Sequence, residues 1–376
     1  MLKSRFVLYL GAACLGLNLT ALACAGDKEP KWVPLVWEKA AIAASPEVLR
    51  RAFPDGIGGG TLAVNPRNGD LYVEGQACLK SVDGGKTYAL LAEGFSYCGA
   101  FPLCTDIHAD GKKLAVFGWS DLPGSSGSGY SLDGGKTWEA FASFDDKTKK
   151  SRGGITGGAL EPGDGKTVLV RGYNYQVKNL FYSADLGKTW TPLPKTREGV
   201  MGWGVFGPRD LVISHWNHIE RSEDAGATWT EVAKFGFCAG PVVHLGGAAY
   251  WLSNKGIIVS KDGGKTWAVQ GAAPPSPVRS EVWTGLLPGR DEKHFVFLSK
   301  EGPMETLDGG KSWRLVAKMP EDFAKTHLGI SLGYDAAHDV FYMIAGGHGG
   351  LRPVKYARQG VPQGPAAAPA AVEEGK

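Results

Sequence analysis

One eight-residue phrase recurs six times along this chain, and no other feature constrains the fold so tightly. It reads SVDGGKTY from Ser81, SLDGGKTW from Ser131, SADLGKTW from Ser183, SEDAGATW from Ser222, SKDGGKTW from Ser260 and TLDGGKSW from Thr306. The intervals are 50, 52, 39, 38 and 46 residues. Repetition at such periods marks a repeat architecture, in which each unit buries its apolar face only against its neighbours. The residue types describe a tight hairpin turn. The Asp carboxylate accepts from backbone N–H groups of the turn, Gly permits positive φ, and the Ser and Thr hydroxyls tie the flanking strands. The closing aromatic (Tyr88, Trp138, Trp190, Trp229, Trp267, Trp313) starts the next strand and buries a large ring. Asp83, Asp133, Asp185, Asp224, Asp262 and Asp308 are therefore read as structural, since identical residues repeated around an assembly serve its construction.

The phrase resembles the Asp-box of the sialidase-type BNR repeat families, and six matches make that resemblance specific for fold and much less so for activity. It implies a β-propeller. A four-stranded meander fits around each box. In the first unit Thr61–Val64, Leu71–Val73, Cys78–Lys80 and Thr87–Leu91 are strands A to D. Later A strands begin near Leu103, Ile155, Gly202, Pro241, Val282 and Ile330, and the B strands read KLAVFGW, TVLVRGY, DLVISHW, AAYWLS, HFVFLS and VFYMIAG. Seven A–B pairs face only six boxes. After a last strand near Val354–Tyr356 the chain offers no seventh D strand, whereas Lys31–Trp37 (KWVPLVW) reads like TWTPLP and precedes the first A strand. The expected fold is all-β, a seven-bladed propeller of four-stranded antiparallel blades closed by its N-terminal strand, which removes exposed sheet edges. Six blades plus a C-terminal hairpin is the alternative. Residues 24–358 form one propeller domain at about 48 residues per blade.

In such a meander the A–B turns and the boxes share one end of the ring, the bottom, while the D–A and B–C loops share the other. Bottom turns such as NPRNGD and HADGKK are short; upper loops such as SFDDKTKKSRGGITGG and GAAPPSPVRSEVW are long. Long loops on a rigid scaffold carry function. The upper loops and strand ends hold Trp119, Arg152, Arg171, Tyr173, Tyr175, Trp203, His215, Trp216, His218, Trp283 and His348. Rings among hydrogen-bonding groups suit a sugar. These residues are the candidate ligand contacts, and the expected function is binding or hydrolysis of a carbohydrate at the upper mouth of the central channel. A glycosidase needs two carboxyl groups roughly 5 to 10 Å apart, and Glu74, Asp106, Asp121 and Glu281 are the candidates. The sialidase resemblance implies an Arg-x-Pro motif, a three-arginine clamp and a Tyr-Glu pair. The chain departs from it, since Arg51-Ala52-Phe53-Pro54 has one residue too many. A phrase such as TLAVNPRNGDLYV also resembles xyloglucan-cleaving endoglucanases, which combine two propellers. The opposing reading is a non-catalytic protein-binding platform, as in the photosystem assembly factors, which are exported seven-bladed Asp-box rings.

No cofactor or metal is assigned. His215-Trp216-Asn217-His218 invites a metal, but residues three apart at a strand end point to opposite faces and need a turn between them to share one. Twelve Trp and 55 Gly among 376 residues fit buried rings and many turns. The net charge of +3 with well-mixed signs leaves no footprint for nucleic acid. Lys3 and Arg5 before an apolar run and Ala21-Leu22-Ala23 read as a signal peptide over 1–23, giving an extracytoplasmic protein. Cys24 then leaves lipid anchoring and plain secretion both open. No later segment is apolar enough to span a membrane, and a monomer is expected. Residues 359–376, rich in Pro and Ala, read as a disordered tail. On the blade map one disulfide is expected among Cys78, Cys98 and Cys104, with Cys98–Cys104 the first choice, and Cys238 stands apart from them.

Overall fold

A computed structural model describes residues 31–35, 61–65, 68–74, 78–92, 105–107, 112–117, 128–142, 153–163, 165–174, 178–194, 200–236, 238, 240–275, 285–326, 329–345 and 353–358. The expected signal segment and C-terminal tail lie outside these residues. Seven antiparallel sheets follow one another along the chain, giving an all-β, seven-bladed propeller. Blade one runs from Thr61–Val64 to Ala89–Ala92, blade two from Thr105–Ile107 to Glu139–Ala140, and blade three from Gly153–Leu160 to Thr191–Pro192. Blade four spans Gly202–Val205 to Thr230–Ala233, blade five Val243–Leu245 to Ala268–Val269, and blade six Leu287–Pro288 to Arg314–Leu315.

Blade seven takes Ile330–Asp335, Val340–Ala345 and Val354–Ala357, and its fourth strand is Val33–Pro34. Val33 pairs with Lys355 and Pro34 with Val354, and Leu35 N donates to Pro353 O at 2.9 Å. The ring closes as its sequence implied. Two departures from the strand reading are local. The entry to blade five is split, with Gly240–Pro241 pairing in parallel with Gly202–Val205 of blade four, and Val243–Leu245 alone pairing within blade five. The sixth A strand is Leu287–Pro288, later than the expected start near Val282, which lies outside the described residues. A short helix, Glu321–Lys325, buries Phe323 between blades six and seven.

Each Asp-box repeats one hydrogen-bond set. At Ser222 the hydroxyl donates to Asp224 Oδ1 at 2.8 Å and accepts from Gly226 N at 2.7 Å. Asp224 then accepts from Thr228 N at 2.8 Å and from Thr228 Oγ1 at 2.6 Å. The Thr228 hydroxyl, its N–H and Ser222 hold the Asp224 carboxyl down at about 2.

The two central positions of the box differ in what they demand. At the first, Leu186 and Ala225 stand with φ of 58° and 60°, so a side chain is tolerated. At the second, every box has Gly, because the turn docks there on the preceding blade. A Cβ on Gly226 would lie 2.6 Å from Leu193 Cδ2 of blade three, and one on Gly187 2.3 Å from Phe141 Cδ1 of blade two. The preceding blade also donates to the boxes: Lys80 Nζ to Gly134 O at 3.3 Å, Arg221 Nε to Gly263 O at 3.1 Å and Gln270 Nε2 to Gly309 O at 3.0 Å. The repeated phrase is thus both a turn and a bolt between blades.

The closing strand copies this arrangement without a box of its own. Leu35 is buried beneath Gly85 of blade one as Leu193 is beneath Gly226. The Trp32 indole donates to Lys318 O of blade six at 2.9 Å, as Trp190 does to Ala142 O of blade two at 2.7 Å. Not every box aromatic is fully buried: Tyr88 and Trp267 are, whereas Trp138, Trp190, Trp229 and Trp313 are half-buried, their rims forming part of the bottom surface.

Candidate functional site

The bottom end is taken up by construction, since its turns spend their polar groups on one another and on adjacent blades. At the upper end the best-described feature is the B–C hairpin of blade four. Leu211–Ser214 and Ile219–Ser222 are joined by a tight turn through His215, Trp216, Asn217 and His218, with His215 N donating to His218 O at 2.9 Å. A hairpin reverses the chain, so its paired flanking residues share a face. The two imidazoles stack at 4.6 Å between centroids with 16° between planes. The turn that the sequence reading required is therefore present. Strand alternation then brings Glu220 to the same face, its Oε2 3.3 Å from His215 Nε2 and its Oε1 3.2 Å from His218 Nε2.

Trp216 stands at the tip with 64% of its surface exposed, and it is the one aromatic among the exposed large apolar side chains of the described residues. The hairpin is braced from below, where Ser214 Oγ donates to His215 O at 3.1 Å and accepts from Cys238 N at 3.3 Å. Cys238 is a buried free thiol, and burial pushes it up to about 12, so it is inert as a nucleophile at neutral pH.

The other candidates fall into four groups. Arg171 lies in Val168–Asn174 of blade three, half-buried, with burial lowering its pKa; its strand faces a β-bulge between Ile155 and Gly158. Trp203 is wholly buried, wedged where Gly157 leaves room for its ring, so it belongs to the core between blades three and four. Glu74, Asp106 and Tyr173 lie in strands but outside the residues whose side chains are described. Trp119, Asp121, Arg152, Tyr175, Glu281, Trp283, His348, Cys98 and Cys104 lie outside the described residues altogether. The sequence reading missed Glu220 and Asn217. Both were legible from H-x-N-H-x-E once a two-residue turn was placed at Trp216-Asn217.

Fold and repeat together define the class: a seven-bladed propeller built on the Asp-box. The BNR/Asp-box repeat model matches residues 130–140, the box of blade two. Among curated proteins, no sequence matches the chain. Among solved structures it is similar to the GH74 enzyme of Niastella koreensis at 15% identity and a TM-score of 0.50, over 81% of this chain and 44% of that one. It therefore spans less than half of that enzyme. It is also similar to YCF48 bound to a D1 peptide, at 15% identity and TM-score 0.44 over 82% of this chain and 95% of that one. YCF48 from Cyanidioschyzon merolae matches at 14% identity and TM-score 0.43, over 80% and 96%. At these identities the likeness is one of fold.

Proposed function

We propose that this chain is an extracytoplasmic propeller that binds a carbohydrate at its upper end. The observation that carries the proposal is Trp216, an exposed indole on a braced hairpin beside His218, Asn217 and Glu220. A flat apolar ring bordered by directional polar groups matches a pyranose, which presents C–H groups on one face and hydroxyls at its edge. The rigid blades hold that ring in place, so little conformational freedom is lost on binding.

A glycan array on the secreted chain tests the reading. Trp216→Ala is expected to weaken binding of any positive glycan at least tenfold, a loss of about 1.4 kcal/mol, with an unchanged melting temperature. A panel of chromogenic glycosides, with Glu74→Gln and Glu281→Gln, separates binding from hydrolysis. Silence on both the array and the panel sinks the carbohydrate reading. The second reading, a protein-binding platform, is favoured by the same indole, because exposed Trp on a rigid element is a common anchor of protein interfaces. It predicts that Trp216→Ala abolishes co-purification of a protein partner while the array stays silent.

A further inference from the structure

We propose that His215, His218 and Glu220 form a binding site for a divalent late first-row transition metal, with Zn2+ as the reference ion. The site shares His218, Asn217 and Glu220 with the polar border of Trp216, but ion uptake is read without any glycan and does not rest on the carbohydrate reading. One ligand atom from each of the three residues lies within 4.8 Å of the others, and their side chains are 6%, 13% and 19% exposed. Tetrahedral Zn2+ with bonds near 2.0–2.1 Å places its ligand atoms about 3.3 Å apart. His215 Nε2 lies 3.3 Å from Glu220 Oε2 and His218 Nε2 3.2 Å from Glu220 Oε1, each near that spacing, and the two stacked rings need only tilt toward one another for both nitrogens to reach one ion.

The hydrogen bonding points the same way. His218 Nδ1 lies 2.7 Å from Asn217 Oδ1, and the neutral tautomer that satisfies this contact carries its proton on Nδ1. The Nε2 lone pair then faces a Glu220 oxygen. Two lone pairs at that distance repel unless a cation lies between them. Asn217 thereby plays the part of an outer partner, which fixes the ring and leaves Nε2 free to ligate. Two imidazoles and a single carboxylate select a borderline metal over Ca2+ or Mg2+, which take more oxygen ligands. Three protein ligands leave a fourth position for water or for an oxygen of a bound molecule. The backbone is prepared as well, since the His215–His218 pair and the Ser214 contacts fix the hairpin before any ion arrives.

The competing occupant is a proton, giving an imidazolium–carboxylate cluster and no metal. The test uses the whole chain produced without a histidine tag, stripped with a chelator and titrated with Zn2+ by calorimetry, with Co2+ substituted in parallel. One equivalent is expected, with the visible bands of tetrahedral Co2+. His218→Ala and Glu220→Gln are each expected to weaken binding tenfold or more, and Asn217→Ala about tenfold. His215 is left intact because it is the most buried of the three, and circular dichroism confirms that each variant is folded. Failure of the wild-type chain to take up a stoichiometric ion overturns the proposal. Affinity unchanged in both folded His218→Ala and Glu220→Gln overturns it equally.

Discussion

At the scale of single residues, the Asp-box separates two kinds of glycine that look alike in sequence. The first central position needs only positive φ, and Ala225 adopts it at 60°. The second also needs empty space, because the preceding blade arrives where a Cβ would be. Gly226→Ala combines left-handed strain with a clash on Leu193 and is expected to destabilise by roughly 2 to 4 kcal/mol. Ala225→Gly relieves strain at a half-buried site and should stabilise by less than about 1 kcal/mol. Urea denaturation of the two variants side by side checks the pair. Equal effects would mean that docking between blades is not what the second glycine serves.

At the scale of elements, closure depends on a strand from the opposite end of the chain that imitates a D strand. Val33–Pro34 contributes only two ladder residues, so its hold comes from side chains. Leu35 fills the site under Gly85, and the Trp32 ring lies 5.5 Å from that of Tyr356. Leu35→Ala is expected to cost about 2 to 5 kcal/mol, comparable to Leu193→Ala at the equivalent site of blade three. Equilibrium unfolding of both variants measures this, and a Leu35→Ala effect near zero would show that the closing strand is dispensable. The blade-four hairpin teaches the same lesson about elements. His215 and His218 read as opposed when treated as one strand, and as partners once the chain reverses between them.

At the scale of the whole molecule, the seam between blades six and seven replaces the missing seventh box with a buried ionic clasp. Arg358 follows the last strand where a box would begin. It donates to both oxygens of Glu305 at 2.8 and 3.0 Å and to Asp339 Oδ1 at 2.8 Å. Burial pushes the Glu305 carboxyl up, but His294, Arg358 and Arg314 outweigh it and hold it at about 2. Arg358→Leu leaves two buried carboxylates short of a partner and should cost about 3 to 5 kcal/mol in denaturant unfolding. The sign of the pH effect follows from the lowered value. The stabilisation is complete above the ordinary 4.5 and disappears as pH falls from there through about 2. Asp224, Asp262 and Asp308, also at about 2 against an ordinary 3.8, act in the same window. Acid unfolding monitored by tryptophan fluorescence should therefore fall between about pH 4.5 and 2. A wild-type transition complete above that window would contradict this account.

The sequence by itself determined the boxes and the identity of the closing strand, and it favoured seven blades over six. Each of these is written in a local signal, either a turn with fixed chemistry or an alternating strand, and local signals survive without neighbours. Tertiary structure decided what lies between blades. It shows why the second glycine of a box cannot change, why Trp203 is core although its position suggested a ligand-facing ring, and why Gly240–Pro241 joins blade four. It also places Arg358 against Glu305, 53 residues away along the chain. These outcomes depend on which surface arrives opposite a residue, and that is fixed only when seven similar sheets pack into one closed ring.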